Sequence, residues 1–415
     1  MNAPVVIDIH ARMPDGALCA VGQIAFGPPS NNSGQYRAEF RYAREWIDNP
    51  HGYDLDPRNL PRSVGTRSVS CNGLRPAFGC LDDALPDAWG RSLFRDTPVP
   101  AGTAKDAHLM IQVGGAGLGT LAFAKASAAP SMLDIFAVRE LAELLDAAQR
   151  FERHEEIESR SMARLLAAGG TPGGARPKAL VRDDLGFWLA KFPSVHKDDG
   201  RDIVGMEAAS LQIARNANLT VPDHRVVPVG AKRVLLVRRF DIAGTGGNGR
   251  HHMISMATLM QETASSGGCS YIEVGEQLRK YSGSTKEDVE AFFRQMVFNA
   301  AIGNTDDHLR NFRLIHRAEG WRLAPAYDLL PDVGRLREHA MAFLYERSCP
   351  TSSDLVTIAH RWGIGNAVEI IDEVCEAVSK FVPICEEFGV PQNDRDFFGS
   401  LIERRISTIS GKPIS

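Results

Sequence analysis

Asp306 and Asn311, with four residues between them, are the pair in this chain whose types and spacing lend themselves most directly to chemistry. They lie in Asn304-Thr305-Asp306-Asp307-His308-Leu309-Arg310-Asn311. At this spacing a carboxylate can orient and deprotonate an acceptor hydroxyl while the amide oxygen binds Mg²⁺, as phosphoryl transfer requires. A polar run this dense beside apolar segments is costly unless it binds something, because buried charges must be paired or coordinate a metal. A hydrated loop would account for the same residues. Asp328 follows 22 residues after Asp306, in Pro325-Ala326-Tyr327-Asp328-Leu329-Leu330-Pro331, and can supply a second metal ligand. Mg²⁺ in such sites takes few protein oxygens and completes its shell with phosphate and water. Loop structure alone would also explain this carboxylate.

Upstream, Lys191 stands at the end of a strand-like run, Phe187 to Phe192, and Glu207 comes 16 residues later on a helical pattern. A kinase lysine and its helix glutamate come in this order, and their pairing holds the lysine over the nucleotide phosphates. D-x-x-x-x-N is likewise the spacing of a kinase catalytic loop. Taken singly, Lys191 reads as a snorkelling strand-end residue. The glycine-rich stretch Gly169-Gly170-Thr171-Pro172-Gly173-Gly174-Ala175-Arg176-Pro177-Lys178 precedes it. Its glycines let backbone N–H groups approach phosphate, but Ala175 after Gly174 rules out a Walker A loop, and a plain linker fits equally. The order as a whole, glycine loop, strand lysine, helix glutamate, D-x-x-x-x-N and late carboxylate, favours ATP-dependent phosphoryl transfer.

These residues need elements to hold them. Thr285 to Ile302 predicts a helix with Val289, Phe292, Phe293, Met296, Val297 and Ala300 on its apolar side and a Thr285/Asp288 capping pair. Phe312 to Ile315 and Trp321 to Leu323 predict a short hairpin between Asn311 and Asp328. Ala179 to Arg182 and Phe187 to Phe192 predict another, followed by an Asp202-capped helix and strands at Arg225 to Val229 and Arg233 to Phe240. Gly244 to Gly249 is flexible by composition and predicts a lobe boundary. Helical patterns return over Ser353 to Phe388 and Arg395 to Ile409.

The first 130 or so residues are rich in Gly, Pro and Asp, with a turn at Pro14-Asp15-Gly16 and a strand-like Leu18 to Phe26, which predicts a β-containing module. Within it Asp82 to Phe94 and Asp106 to Val113 have helical spacing, and Ser131 to Ala167 continues that pattern up to and past a solvated charge run, Arg150 to Glu158. Gly114 to Gly119 reads as a turn, because Thr120 stands where G-x-G-x-x-G needs its third glycine.

Composition limits the alternatives. A chain of 415 residues with 44% hydrophobic and 24% charged residues is long enough for two or three domains. A net charge of −4 argues against a strong direct nucleic-acid binder, which needs clustered Lys and Arg. Seven scattered cysteines without a C-x-x-C pair exclude a disulfide framework or zinc ribbon. Met1 to His10 has no signal-peptide pattern and no long uncharged apolar run occurs, so a soluble cytoplasmic protein without membrane contact is expected.

Together the motifs resemble the HipA-type toxin kinases, serine/threonine kinases of bacterial type II toxin-antitoxin pairs. The resemblance lies in TPGGARPKAL at 171–180, AKFPS at 190–194, RRFD at 238–241, NTDDHLRNF at 304–312 and APAYDLLP at 324–331. ALPDAWGRSLF and GGAGLGTLAF look like the family's N-terminal module. The resemblance implies an α+β, protein-kinase-like two-lobed fold. Its parts would be an N-terminal module (1–130), an α/β nucleotide-binding lobe with the glycine-rich loop (131–243) and a mostly helical catalytic lobe (244–415).

Carried over residue by residue, it implies Asp306 as catalytic base, Asn311 and Asp328 as Mg²⁺ ligands, and Lys191 as the phosphate-binding lysine with Glu207 as partner. His308 and Asp241 would face the ribose, Arg239 and Phe240 would lie at the interlobe hinge, and Gly173, Gly174, Lys178 and Tyr327 would complete the ATP site. Thr171 stands where relatives autophosphorylate a serine, and Arg238 stands where some carry an acid, which leaves purine preference open. The resemblance further implies ATP and Mg²⁺ as cofactors, a translation-related protein substrate such as an aminoacyl-tRNA synthetase, and a small DNA-binding antitoxin through which DNA is met indirectly. A small-molecule or lipid kinase and a non-toxic binding module in an antitoxin-DNA complex are the competing readings.

Overall fold

Val5–Arg12 (β1), Leu18–Phe26 (β2) and Tyr36–Tyr42 (β3) bury alternate side chains, among them Ile7 and Ile9, Ile24 and Phe26, and Ala38 and Phe40. This period of two is what a sheet with one covered face requires. Thr66–Cys71 (β4) and Leu121–Lys125 (β5) complete an antiparallel sheet of order β4-β3-β2-β1-β5. The β1–β2 turn forms at Pro14-Asp15-Gly16, where Gly16 takes φ +90° and Ala17 N–H donates to Asp15 Oδ1. Gly22 is required on packing grounds, since a Cβ there would stand 2.2 Å from the Arg41 carbonyl oxygen.

The computed structural model describes all residues except 1–2, 31–34, 72–77, 96, 132–134, 169–175, 199, 245–246, 262–267, 333–337 and 412–415. It divides into a first unit, Met1–Ala190 with Arg239–Thr263, and a second, Lys191–Arg238 with Ala264–Ser415. The first unit holds the five-stranded sheet and the strands Phe136–Ala137 (β6), Lys178–Asp183 (β7) and Gly186–Lys191 (β8), of which only the terminal Lys191 belongs to the second. Gly244 to Gly249, expected to separate lobes, links two strands of one antiparallel ribbon, Ile242–Ala243 and Gly249–Arg250, inside the first unit.

Two helical expectations here are corrected. Asp82 to Phe94 is not one helix but Gly79–Asp82 and Ala88–Leu93, because Pro86 pushes Leu85 away from helical geometry and Asp87 caps the second piece by accepting from Gly90 N–H at 2.9 Å. Ser131 to Ala167 becomes a short strand and two helices, Leu141–Glu152 and Ser159–Ala168, and the exposed charged residues between the helices form the break.

The second unit is mostly helical around Thr285–Ile302, which buries Phe292, Phe293, Met296 and Val297. Tyr271 packs against Phe292, Phe312 and Phe343, and Phe312 meets Phe292 edge-on, with centroids 5.0–5.9 Å apart. The expected Thr285/Asp288 cap does not form. Asp288 instead accepts from Ser282, Leu323 N–H and Arg322, so it fastens the helix start to the hairpin Arg313–Arg317/Gly320–Leu323. The stretch Ser353 to Phe388 is three helices, Ser352–Trp362, Ala367–Ser379 and Phe381–Glu387, before the final helix Gln392–Ser410. The fold class is the expected one, α+β with a β-rich N-terminal part and a mostly helical C-terminal part. Among the described residues no helix is long and apolar enough to cross a membrane.

Candidate active site

Gly303, in the left-handed region at φ +78°, ends the Thr285–Ile302 helix and turns the chain into the polar run. Asn304 then anchors the run at once, donating its amide to Asn299 Oδ1 at 3.1 Å and toward the Asp328 carbonyl at 3.4 Å. The adjacent acids Asp306 and Asp307 part company. Asp307 is fully buried, whereas 75% of the Asp306 side chain is exposed. Asn311 closes the loop by donating its amide nitrogen to the Asp306 carbonyl at 2.9 Å, and His308 Nε2 lies 3.8 Å from Asp306 Oδ1.

Lys191 at the end of β8 pairs through Nζ with both Glu207 and Asp328. Burial lowers the affinity of its amine for a proton, but the two carboxylates more than offset this and hold it above the ordinary lysine range. Glu207 is placed by the helix Ile203–Asn216, whose start is capped by Asp202 accepting from Gly205 N–H at 3.1 Å. Asp328 adopts φ +55°, a left-handed conformation uncommon outside glycine. Its segment is tied down on both sides. Ala326 N–H donates to the Thr220 carbonyl at 2.8 Å, and Tyr327 donates its hydroxyl to the Arg310 carbonyl while accepting from Arg313 Nε, each at 2.9 Å.

The second unit thus gathers Lys191, Glu207, Asp306, His308, Asn311, Tyr327 and Asp328. Of the other expected residues, Lys178, Arg239, Phe240 and Asp241 lie in the first unit, where the charged groups are already engaged. Arg239 forms a two-point pair with Asp241 at 3.0 and 2.6 Å and reaches the Gly117 carbonyl at 3.1 Å. Asp241 also accepts from Gly119 N–H at 2.8 Å, so Gly117 and Gly119 of the expected turn are held by this clamp. Burial alone would raise the Asp241 carboxyl, but Arg239, Arg250 and the Gly119 N–H hold it below its usual range. Lys178 donates to Asp87 at 2.5 Å, both side chains being buried, and Phe240 is partly buried. Thr171, Gly173 and Gly174 lie outside the described residues.

Sequence reasoning assigned no role to Asp307, Asn299, Tyr271, His339 or Arg405, which support the loop from behind. The Asp-Asp doublet was visible, but nothing local shows which acid turns inward.

The HipA-like C-terminal domain model matches residues 170–381, just over half of the chain and the span that contains Lys191, Glu207, Asp306, Asn311 and Asp328. The chain belongs to the HipA family. It is 26% identical over 226 residues to the toxin YjjJ of Escherichia coli K12, covering 51% of this chain and 50% of YjjJ. Two proteins of Sinorhizobium fredii strain NGR234 named as kinases also match. Y4mE is 29% identical over 153 residues (35% of this chain, 34% of Y4mE) and Y4dM 26% over 219 (48% and 52%). The chain therefore spans a third to a half of the curated relatives it matches. HipA of Shewanella oneidensis MR-1, from a structure with HipB and operator DNA, shares the fold at a TM-score of 0.71 and 16% identity, over 98% of this chain and 97% of that one. The gathered residues therefore lie in the HipA-like C-terminal domain of a HipA-family chain.

Proposed function

We propose that this chain is an ATP- and Mg²⁺-dependent serine/threonine protein kinase acting in the cytoplasm as the toxin of a HipA/HipB-like pair. The observation that carries the reading is Lys191, held between Glu207 and Asp328 in the unit that also presents Asp306. An ammonium has three N–H donors, and two are taken by these carboxylates, so one remains for a phosphate oxygen while Glu207 keeps the side chain aimed. Asp306, the exposed acid of the loop, orients an incoming hydroxyl and takes its proton.

The residues present suit Mg²⁺. Asn311 uses its amide nitrogen on the Asp306 carbonyl, which turns the side-chain oxygen the other way, and Asp328 contributes a carboxylate. Among the described residues no cluster of three or more His, Cys, Asp and Glu is arranged to hold a metal alone, and Mg²⁺ needs no such cluster when phosphate and water fill its octahedron. When bound, the ion would neutralise charge on the phosphates.

The remaining parts of the reading rest on family likeness. They are a translation-related substrate such as an aminoacyl-tRNA synthetase, a small DNA-binding antitoxin as partner, and Thr171 as an autophosphorylation site. The division at 130 and 243 sorts segments by role, not by compactness. Incubating the protein and a cell extract with γ-labelled ATP tests the core claim. Label should enter protein, and should be lost with chelator and in Asp306→Asn. Label confined to a dialysable product would make the acceptor a small molecule, and undiminished transfer by Asp306→Asn would sink the assignment.

A further inference from the structure

The Asp307 carboxylate accepts from three sides: Tyr271 hydroxyl at 2.6 Å, His339 Nδ1 at 2.8 Å and Ala340 N–H at 2.7 Å. The other ring nitrogen of His339, Nε2, lies 3.1 Å from Arg405 Nη1. A guanidinium can only donate, so Nε2 accepts and the ring hydrogen sits on Nδ1, where it donates to Asp307. Both neighbours therefore dictate one neutral tautomer. Arg405 also donates to the Ala300 carbonyl at 3.2 Å, and a Cβ on Gly303 would stand 2.9 Å from Arg405 Nε. Arg405 thus meets the helix end from which the Asp306 loop departs, as well as the histidine that holds the loop's buried acid.

We propose that Arg405, His339 and Asp307 form a relay, buried at His339 and Asp307, through which the C-terminal helix, Gln392–Ser410, positions Asp306. They are positioning residues. Asp307 is the peptide neighbour of Asp306, so whatever fixes the Asp307 carboxylate fixes the backbone from which Asp306 projects. Removing the Arg405 donors leaves Asp307 to hold the Nδ1 hydrogen alone, so the imidazole loses its second anchor and fixes the Asp307 carboxylate less tightly. Ala340 N–H also donates to the Thr305 carbonyl, so the loosening reaches the loop by a second route. The inference rests on Asp306 being the base.

The test has a structural and a kinetic arm, both on the full chain. With ¹⁵N-labelled histidine, the His339 signals, identified by their loss in His339→Gln, should show the Nδ1–H tautomer in the wild type and a moved Nε2 resonance in Arg405→Met, where that nitrogen has lost its donor. In steady state Arg405→Met should lower kcat roughly 10- to 100-fold, the effect of a base displaced by up to about 1 Å, with the KM for ATP nearly unchanged. Arg405→Lys, which can still donate to Nε2, should recover part of the loss. Asp394→Asn breaks the pair between the same helix and Arg201 (2.9 Å) and should keep kcat near wild type, which separates positioning from helix stability. An Nε2–H or protonated His339 in the wild type overturns the relay even if Arg405→Met does not fold. Equal losses of kcat in Asp394→Asn and Arg405→Met overturn it too. Full activity of Asp306→Asn would overturn the underlying catalytic reading instead.

Discussion

Two base–acid clusters, Arg239 with Asp241 in the first unit and Lys191 with Glu207 and Asp328 in the second, end differently. In the first unit Arg239 and Asp241 are sealed, with side chains 3% and 2% exposed, and their remaining bonds go to the backbone at Gly117 and Gly119. In the second, Lys191 meets Glu207 and Asp328 with side chains 15%, 9% and 27% exposed, beside a loop whose Asp306 faces solvent. A planar guanidinium matched to one carboxylate closes on itself, whereas an ammonium between two carboxylates keeps a donor in reserve. The closed cluster holds a fold together, and the open one has capacity left for a ligand.

The largest expected effect lies on the open side. Asp306→Asn should lower phosphotransfer by about 10²- to 10⁴-fold, the usual contribution of a general base, while the urea midpoint stays put because the side chain is exposed. The closed side should answer in stability. Asp241→Asn leaves Arg239 buried and poorly compensated, and urea unfolding should lose about 3–5 kcal/mol. Lys191→Met should cost less, about 1–3 kcal/mol, because the carboxylates it abandons keep some access to water. If the last two variants lose the same stability, the contrast between sealed and open clusters fails.

The clusters should also separate by pH. Asp241 has its folded pKa lowered, so its contribution is complete above the ordinary carboxyl value of about 3.9 and is lost as pH falls through the lower folded value. The stability gap between wild type and Asp241→Asn, measured in urea, should therefore shrink in acid. Lys191 has its folded pKa raised, so its contribution is complete below about 10.4 and is lost only as pH rises beyond the ordinary lysine range. The gap between wild type and Lys191→Met should hold from neutral pH to mildly alkaline conditions. The smallest effect belongs to an exposed pair such as Arg44 and Asp48, 2.8 Å apart, where Asp48→Ala should change stability by less than about 0.5 kcal/mol.

Much of this was legible in the chain. The strand Leu18–Phe26 and the helix Thr285–Ile302 follow from local periodicity, because apolar side chains recur at the period of the element that buries them, and Glu207 was named as partner of Lys191 from the order in which a kinase carries its lysine and helix glutamate. Helix interruptions were less legible. Pro86 and the charged break after Glu152 act within a turn of residues that individually fit a helix. Asp288 misled for another reason, since its position suited a cap but arginine and backbone donors from a distant hairpin were better partners.

The sequence by itself determined the family motifs, the spacing of Asp306 and Asn311, and the order in which lysine, glutamate and late carboxylate appear. Those properties are carried by residue type and separation along the chain. Only the tertiary structure decided that Lys191 touches Asp328, 137 residues away, that Asp241 is spent on Arg239 and the Gly119 N–H, and that Asp307 turns inward while Asp306 turns out. The physical reason is that a carboxylate's role depends on which donors reach it and whether water does. Tyr271, His339 and the Ala340 N–H come to Asp307 from segments more than 30 residues away on either side, and no local pattern records their arrival.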